Sequence, residues 1–168
     1  MDPVVTDEHS LWLQPAPAEA RELRTLIETF ARRTGTPAFE PHLTLLPGLQ
    51  GDEQGLIQKF AQLAHERSFP IVIESVQTGS AYHKCLFFTC APSDSLLTLR
   101  RKSETIFSPG APFFPHISLA YGLDASLCEA CRKELERKKV AFSAHIVSLW
   151  HAKGLPDEWQ CVATHQLI

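Results

Sequence analysis

The sequence predicts an α+β fold: bilobal, with two pseudo-symmetric antiparallel sheets and outer helices around a central cleft. Three observations carry that expectation. The segment PHLTLLPG, beginning at Pro41, returns as PHISLAYG, beginning at Pro115. Strand-like and helix-like segments alternate around each copy, so that the copies fall at comparable places in the two halves. No Gly- or Ser-rich linker divides the halves, which are therefore expected to be lobes of a single domain spanning 1–168.

The elements follow from periodicity and punctuation. HSLWLQP, 9–15, reads as the first strand, and a helix runs from Pro17 to Arg33 with Leu23, Ile27 and Phe30 as its apolar stripe. Pro17 at its start and Gly35 after its end fit the usual asymmetry of helix termini. FEPHLTLLP, 39–47, is the second strand, and 51–67 the second helix, with Leu56, Phe60 and Leu63 inward. PIVIESVQTG (70–79) and AYHKCLFFTCA (81–91) read as a hairpin turning around Gly79 and Ser80. A third helix covers 93–107, with Ser93 or Asp94 as its cap. SPGAPFFP (108–115) is a stiff loop leading into the strand HISLAYG. A fourth helix spans Ala125 to Lys138, and two final strands cover 140–152 and 158–168. In the first of these, Val140, Phe142, Ala144 and Ile146 alternate as the apolar face of a half-buried strand, with His145 opposite.

Strand parity gives the repeat its meaning. Alternate side chains point to opposite faces, so His42 and Thr44 share one face while Leu43 and Leu45 share the other. His116 and Ser118 sort against Ile117 and Leu119 in the same way. Each copy is thus a strand with an apolar face and a histidine-hydroxyl face. Of the 8 histidines, only these two are preceded by Pro and followed by an apolar residue, a hydroxyl residue and Leu.

Composition narrows the partners. The 168 residues are 44% hydrophobic, enough for a substantial core. With 16 Lys and Arg against 19 Asp and Glu, the net charge of -3 does not support a phosphate-tracking groove for duplex nucleic acid. No apolar run has the length of a membrane helix, and the start MDPVVTDEHS lacks the order of a secretory signal, so a cytoplasmic monomer without membrane contact is expected. The 5 cysteines fit a reducing compartment. Cys128 and Cys131 recur with Leu135 at helical spacing, which makes them the buried stripe of the fourth helix rather than a metal or redox pair.

Two imidazoles facing one substrate can act as a neutral base and a protonated acid. At phosphorus, one takes the proton of attacking water while the other donates to the leaving oxygen. Thr44 and Ser118, beside the histidines, are placed to donate hydrogen bonds to non-bridging phosphate oxygens. There is no H-E-x-x-H, no carboxylate two to four residues after either histidine, no phosphate-binding glycine loop and no G-x-S-x-G elbow. The expected cofactor is none, and the expected metal none.

At these residues the chain resembles the two-histidine, or 2H, phosphoesterase superfamily, whose paired H-x-[ST]-φ motifs match HLTL at 42–45 and HISL at 116–119. It is most similar to the cyclic nucleotide phosphodiesterase branch, through SLWLQP, FEPHLTLLPG, YHKC, FPHISLAYG and a late strand near Trp159. The resemblance implies a 2H phosphoesterase-like fold and metal-independent hydrolysis of ribose cyclic phosphates. ADP-ribose 1″,2″-cyclic phosphate and nucleoside 2′,3′-cyclic phosphates opened to 2′-phosphates are the implied substrates. It further implies His42 and His116 as the catalytic pair, Thr44 and Ser118 as phosphate anchors, and Tyr121 in the cleft. That last placement requires the strand to twist or end near Gly122, since plain alternation puts Tyr121 on the apolar side. Trp12 would flank a base opposite Tyr82 or His83, where His stands in place of the family's aromatic. Two other readings stay open: an RNA-end phosphodiesterase or 2′-5′ RNA ligase-like member acting on RNA ends, and a non-catalytic nucleotide-binding module.

Overall fold

In the computed structural model, which describes residues 1–108 and 110–168, eight strands form one antiparallel sheet. The chain order is β1 (Thr6–Pro15), α1 (Pro17–Thr34), β2 (Leu43–Leu49), α2 (Glu53–Phe60), a 3-10 turn (Ala61–Leu63), β3 (Phe69–Pro70), β4 (Ile73–Ala81) and β5 (Lys84–Cys90). It continues with α3 (Asp94–Phe107), β6 (His116–Ala120), α4 (Ala125–Leu135), β7 (Ser143–Gly154), a 3-10 turn (Pro156–Glu158) and β8 (Gln160–Gln166). The strand order is β3-β7-β1-β2-β6-β5-β4, with β8 also on β7. Pro109, in the loop before the second motif, lies outside the described residues.

The two halves are visible in this order. β1-α1-β2-α2 and β5-α3-β6-α4 repeat the same succession, and they meet where Leu43 of β2 pairs with Ile117 of β6. That one recorded pairing makes the two halves, expected as separate sheets, one continuous sheet. Helix contacts cross the join as well, α1 against β6 and α3 against β2. Arg100 of α3 adds a polar link: it is 4% exposed and donates to the Leu45 carbonyl at 2.6 Å and the Ala111 carbonyl at 2.9 Å. No helix among the described residues is long and apolar enough to cross a membrane.

Local chemistry sets the element ends. Pro17 opens α1, and Gly35 closes it in the left-handed region at φ 69°, its N–H bonded to the Ala31 carbonyl. Asp52, Ser93 and Asp124 cap α2, α3 and α4 by accepting from the N–H groups of Gly55, Leu96 and Leu127. Cys128, Cys131 and Leu135 form the buried stripe of α4.

Several elements differ from the sequence expectation, each for a physical reason. The segment expected as one strand over 70–79 is split. Phe69 and Pro70 pair with β7, the Ile71 N–H bonds to Phe142, and the chain then crosses to β4 in the other half. The second helix is regular only to Phe60, because Ala64 is extended and His65 has a positive φ. The hairpin between β4 and β5 turns at Tyr82 and His83, not at Gly79 and Ser80, since Ala81 pairs with Lys84. Gly79 instead lies in a bulge between Thr78 and Ala81, where a Cβ would come within 2.5 Å of the Lys84 carbonyl. Phe142, just before β7, and Ala144 within it face the core, but Ile146 does not. The register jumps from Pro15↔Ala144 to Gln14↔Ile146, so His145 is an extra residue and the core face passes to Val147 and Leu149.

Candidate active site

The two motifs are held by the Leu43↔Ile117 pairing. Continued by one residue each way, this antiparallel register sets His42 beside Ser118 and Thr44 beside His116. Leu43, Leu45, Ile117 and Leu119 anchor the strands in the core, all 0% exposed. The opposite face opens on a cavity of about 530 Å³.

Both histidines are oriented by the same device. His42 Nδ1 lies 2.7 Å from the Glu40 carbonyl, and His116 Nδ1 lies 2.8 Å from the Phe114 carbonyl. A carbonyl can only accept, so Nδ1 carries the proton in each ring and Nε2 is the atom left for chemistry. In both motifs the acceptor is two residues back, across Pro41 or Pro115. A residue before proline is driven to extended backbone, which helps to turn that carbonyl toward the ring.

The environments of the two rings differ. Burial, opposed by the Glu40 bond and reinforced by the nearby His116 and His83, pushes His42 down to about 4. His116 is also lowered, by burial first and by the Lys84 ammonium to a smaller extent, with the Phe114 bond opposing. His42 is therefore held neutral more strongly than its partner.

All eight residues singled out in the sequence line this cavity: Trp12, His42, Thr44, Tyr82, His83, His116, Ser118 and Tyr121. Tyr121 arrives through a break in alternation. Leu86 pairs with Ala120 and Phe87 with Ser118, so Leu119 is an extra residue; β6 ends at Ala120, and Tyr121 turns to the cleft just before Gly122 at φ 68°. Its ring stacks on Phe39 at 3.7 Å. Tyr82 and His83 reach the cleft from the tip of the β4–β5 hairpin. The His83 carbonyl accepts from Ser118 Oγ at 2.9 Å, while His83 Nε2 is buried and has no partner among the described residues.

Trp12 departs from the expected base clamp. Its indole is sandwiched between the His42 imidazole at 3.6 Å and the Trp150 indole at 4.2 Å, and its Nε1 donates to Ser10 Oγ at 2.8 Å. With both faces covered, Trp12 backs His42 instead of offering a face to a ligand. The aromatic surface beside the cavity consists of Tyr82, Tyr121, Phe39 and Trp159, which form a small apolar cluster with Ile27.

The sequence reading missed Lys84, whose chain lines the cavity and whose ammonium rests over the Phe114 ring at 4.9 Å. Strand alternation from Tyr82 was the signal available for it. Lys84 is the single Lys or Arg among the described lining residues, and Glu8 the single carboxylate. Phe39 and Ser10 were missed too, because they act on Tyr121 and Trp12 and carry no motif.

Two short strands presenting paired histidine-hydroxyl faces to one cleft define a 2H phosphoesterase. The model for "Cyclic phosphodiesterase-like protein" matches residues 8–166, and the chain belongs to that family. A curated relative, the 2′,3′-cyclic-nucleotide 3′-phosphodiesterase of Kluyveromyces lactis, is 25% identical over 153 residues, 76% of this chain and 72% of the relative. Among solved structures, E. coli LigT complexed with 3′-AMP superimposes with a TM-score of 0.62 at 13% identity, covering 99% of each chain. The Thermus thermophilus protein TT0787 gives 0.60 at 18% identity, covering 95% of this chain and 97% of that one. The family match extends the likeness from the motifs to nearly the whole sheet.

Proposed function

We propose that this phosphodiesterase opens ribose cyclic phosphates, with His42 as the base that deprotonates water and His116 as the acid that protonates the leaving ribose oxygen. The carrying observation is the matched pair of Nδ1–H bonds to backbone carbonyls, which leaves one Nε2 on each side of a single cavity. Attack of water on phosphorus forms one P–O bond as the bond to the ribose oxygen breaks. The water proton passes to His42 Nε2, and a proton from His116 Nε2 goes to the departing oxygen. General acid-base help of this kind is worth about 10²- to 10⁴-fold per group. The unequal burial supports the assignment, since the ring kept neutral to about 4 is the better placed to begin as base.

Thr44 and Ser118 are the anchors for the non-bridging oxygens, and Lys84 adds a positive charge on the same side as His116. In the free protein Ser118 Oγ–H is engaged by the His83 carbonyl, so its transfer to a phosphate oxygen couples phosphate binding to the Tyr82–His83 hairpin tip. Tyr121 and Tyr82 form the apolar wall against the nucleoside. Trp12 acts on the substrate only through His42.

Substrates of nucleotide size suit the cavity of about 530 Å³. The name of the Kluyveromyces relative specifies cleavage at the 3′ position of a 2′,3′-cyclic nucleotide; carried to this chain, that yields a 2′-phosphate. ADP-ribose 1″,2″-cyclic phosphate presents the same five-membered ring on a larger nucleotide. A lining with one cation favours either of these over a long RNA end.

The test is incubation with 2′,3′-cyclic nucleotides and ADP-ribose 1″,2″-cyclic phosphate in EDTA, with products assigned by phosphorus NMR. A 2′-phosphate product in EDTA, lost in both His42→Ala and His116→Ala while both variants stay folded, is the expected result. Undiminished turnover in either variant, or abolition of wild-type turnover by EDTA, would overturn the mechanism. Nucleotide binding without hydrolysis would instead establish a binding module.

A further inference from the structure

We infer that the face of the sheet opposite the cleft carries a zinc site, formed by His9, His151 and Glu53 and oriented by Asp7. Thr6, Glu8, Ser10 and Trp12 of β1 line the cleft, so His9, between Glu8 and Ser10, points to the other face. His151 is its direct cross-strand partner on β7 and shares that face. Glu53 comes from a third element as the first residue of α2. Nothing in the proposed phosphodiester chemistry uses these residues.

The geometry supplies a ligand set. One donor atom from each of the three residues lies within 4.8 Å of the other two. His9 Nε2 is 2.9 Å from Glu53 Oε2, and His151 Nδ1 is 3.7 Å from the same oxygen. Ligands about 2.1 Å from a tetrahedral zinc ion stand about 3.4 Å apart, a spacing that these two distances bracket. The two imidazoles are stacked at 4.1 Å with 15° between their planes. To share an ion they must splay apart, by rotation about soft terminal torsions. Both rings are partly exposed, with His9 at 13% and His151 at 26%, so solvent ions reach them.

Asp7 makes the arrangement specific. Its carboxylate lies 2.8 Å from His151 Nε2. An ionised carboxylate only accepts, so Nε2 of the neutral ring carries the proton and the lone pair is on Nδ1, the atom facing Glu53. A carboxylate holding the far nitrogen of a histidine is the usual outer support of a zinc-bound imidazole. Zinc entering here displaces the proton now shared by His9 and Glu53. Two neutral imidazoles, one carboxylate and the outer Asp7 match its charge, with Lys153 nearby the opposing cation. The site would fasten the start of α2 to β1 and β7 and leave a fourth position for water.

Two other regions of the chain can take zinc, and the test separates them. The cleft has His42 and His116, and thiols are present at Cys85, Cys90, Cys128, Cys131 and Cys161. Full-length protein stripped with EDTA is dialysed against zinc, and the bound metal is counted by elemental analysis. The same protein is titrated with cobalt(II) as a spectroscopic substitute. We expect a single equivalent of zinc, a higher melting temperature on loading, and tetrahedral cobalt bands without thiolate charge transfer. His151→Ala and Glu53→Gln should each lose the equivalent, His42→Ala should retain it, and Asp7→Asn should weaken it by about 10- to 100-fold. If His151→Ala does not fold, His9→Gln takes its place. No zinc on the wild type, full zinc on both His151→Ala and Glu53→Gln, loss with His42→Ala, or a thiolate cobalt spectrum would each refute the site.

Discussion

Replacing His42 with Asn tests the burial of the ring proposed as the base without relying on any assay of activity. The imidazole is 7% exposed, and burial is the main cause that lowers it from 6.5 to about 4. In the unfolded chain the ring takes up a proton as the pH falls through 6.5, while the folded ring stays neutral until about 4. Acidification therefore favours the unfolded state across that window. The stability contribution is fully present above 6.5, falls as the pH drops, and is exhausted near 4. The whole shift corresponds to about 3 kcal/mol, of which about 2.5 kcal/mol is lost by about pH 4.5. Asn retains an amide N–H that can take over the Nδ1 bond to the Glu40 carbonyl, and it does not titrate. Its unfolding free energy is expected to start lower, through loss of the Trp12 stack, yet to fall less on acidification than that of the wild type. The assay is urea unfolding of both proteins at about pH 7.5 and about pH 4.5. His116 and His83, also lowered by burial, are present in both proteins and cancel in the double difference. Parallel losses in the two proteins would show that His42 is not desolvated and remove the ground for naming it the base.

The same shifts predict the pH dependence of kcat/KM on a 2′,3′-cyclic nucleotide. The proposed mechanism needs His42 neutral and His116 protonated, so the profile should rise through about 4, and its alkaline limb should fall below 6.5; an alkaline limb above about pH 7.5 contradicts this. Gly122→Ala should destabilise by about 1–3 kcal/mol and raise KM, because the residue sits at φ 68° and the new Cβ would stand 2.6 Å from the Tyr82 ring. Urea melts and initial rates read both effects, and a variant with wild-type stability would show that the turn adapts. Arg100→Leu leaves the Leu45 and Ala111 carbonyls without their donor and Glu104 without its partner. A loss of about 3 kcal/mol in the same melts is expected, and a neutral result would mean that the loop and β2 rearrange around the leucine.

What the sequence showed of this fold depended on unbroken periodicity. The first, third and fourth helices, the apolar faces of the two motif strands and the pairing of histidine with hydroxyl all follow 3.6- or two-residue repeats, and the structure has them where those repeats place them. Apart from the early end of α2 and the crossing between β3 and β4, the failures fall where a strand carries an extra residue. Alternation from Ile117 puts Tyr121 in the core until Leu119 bulges, and alternation from Phe142 puts Ile146 in the core until His145 does. Gly79 reads as a turn because glycine is the commonest turn residue, whereas here it admits a neighbouring carbonyl at close range. Such bulges are set by the partner strand, so a single strand's sequence does not announce them. The stack of Trp12 between His42 and Trp150 was hidden for a related reason, since Trp150 lies on a strand more than a hundred residues away whose register has itself been shifted by His145.

The proline before each histidine was legible only as part of a repeated pattern, and the structure gives it a chemical purpose. A histidine that is to act through Nε2 must have Nδ1 occupied by an acceptor that cannot itself donate. In both motifs a backbone carbonyl meets that condition, at 2.7 Å for His42 and 2.8 Å for His116. A side-chain acceptor would do so less reliably, since a carboxylate would also raise the pKa of the ring and oppose the burial that keeps His42 neutral. The carbonyl fixes the tautomer at little electrostatic cost, and proline biases the residue that bears it toward the conformation it needs. In the proposed mechanism the repeated Pro-His pair thus selects the reacting nitrogen, and the hydroxyl two residues on marks where the phosphate is held. The proposed mechanism calls for two copies because its base and its acid stand on opposite sides of one phosphorus atom, an opposition that the antiparallel pairing of Leu43 with Ile117 allows.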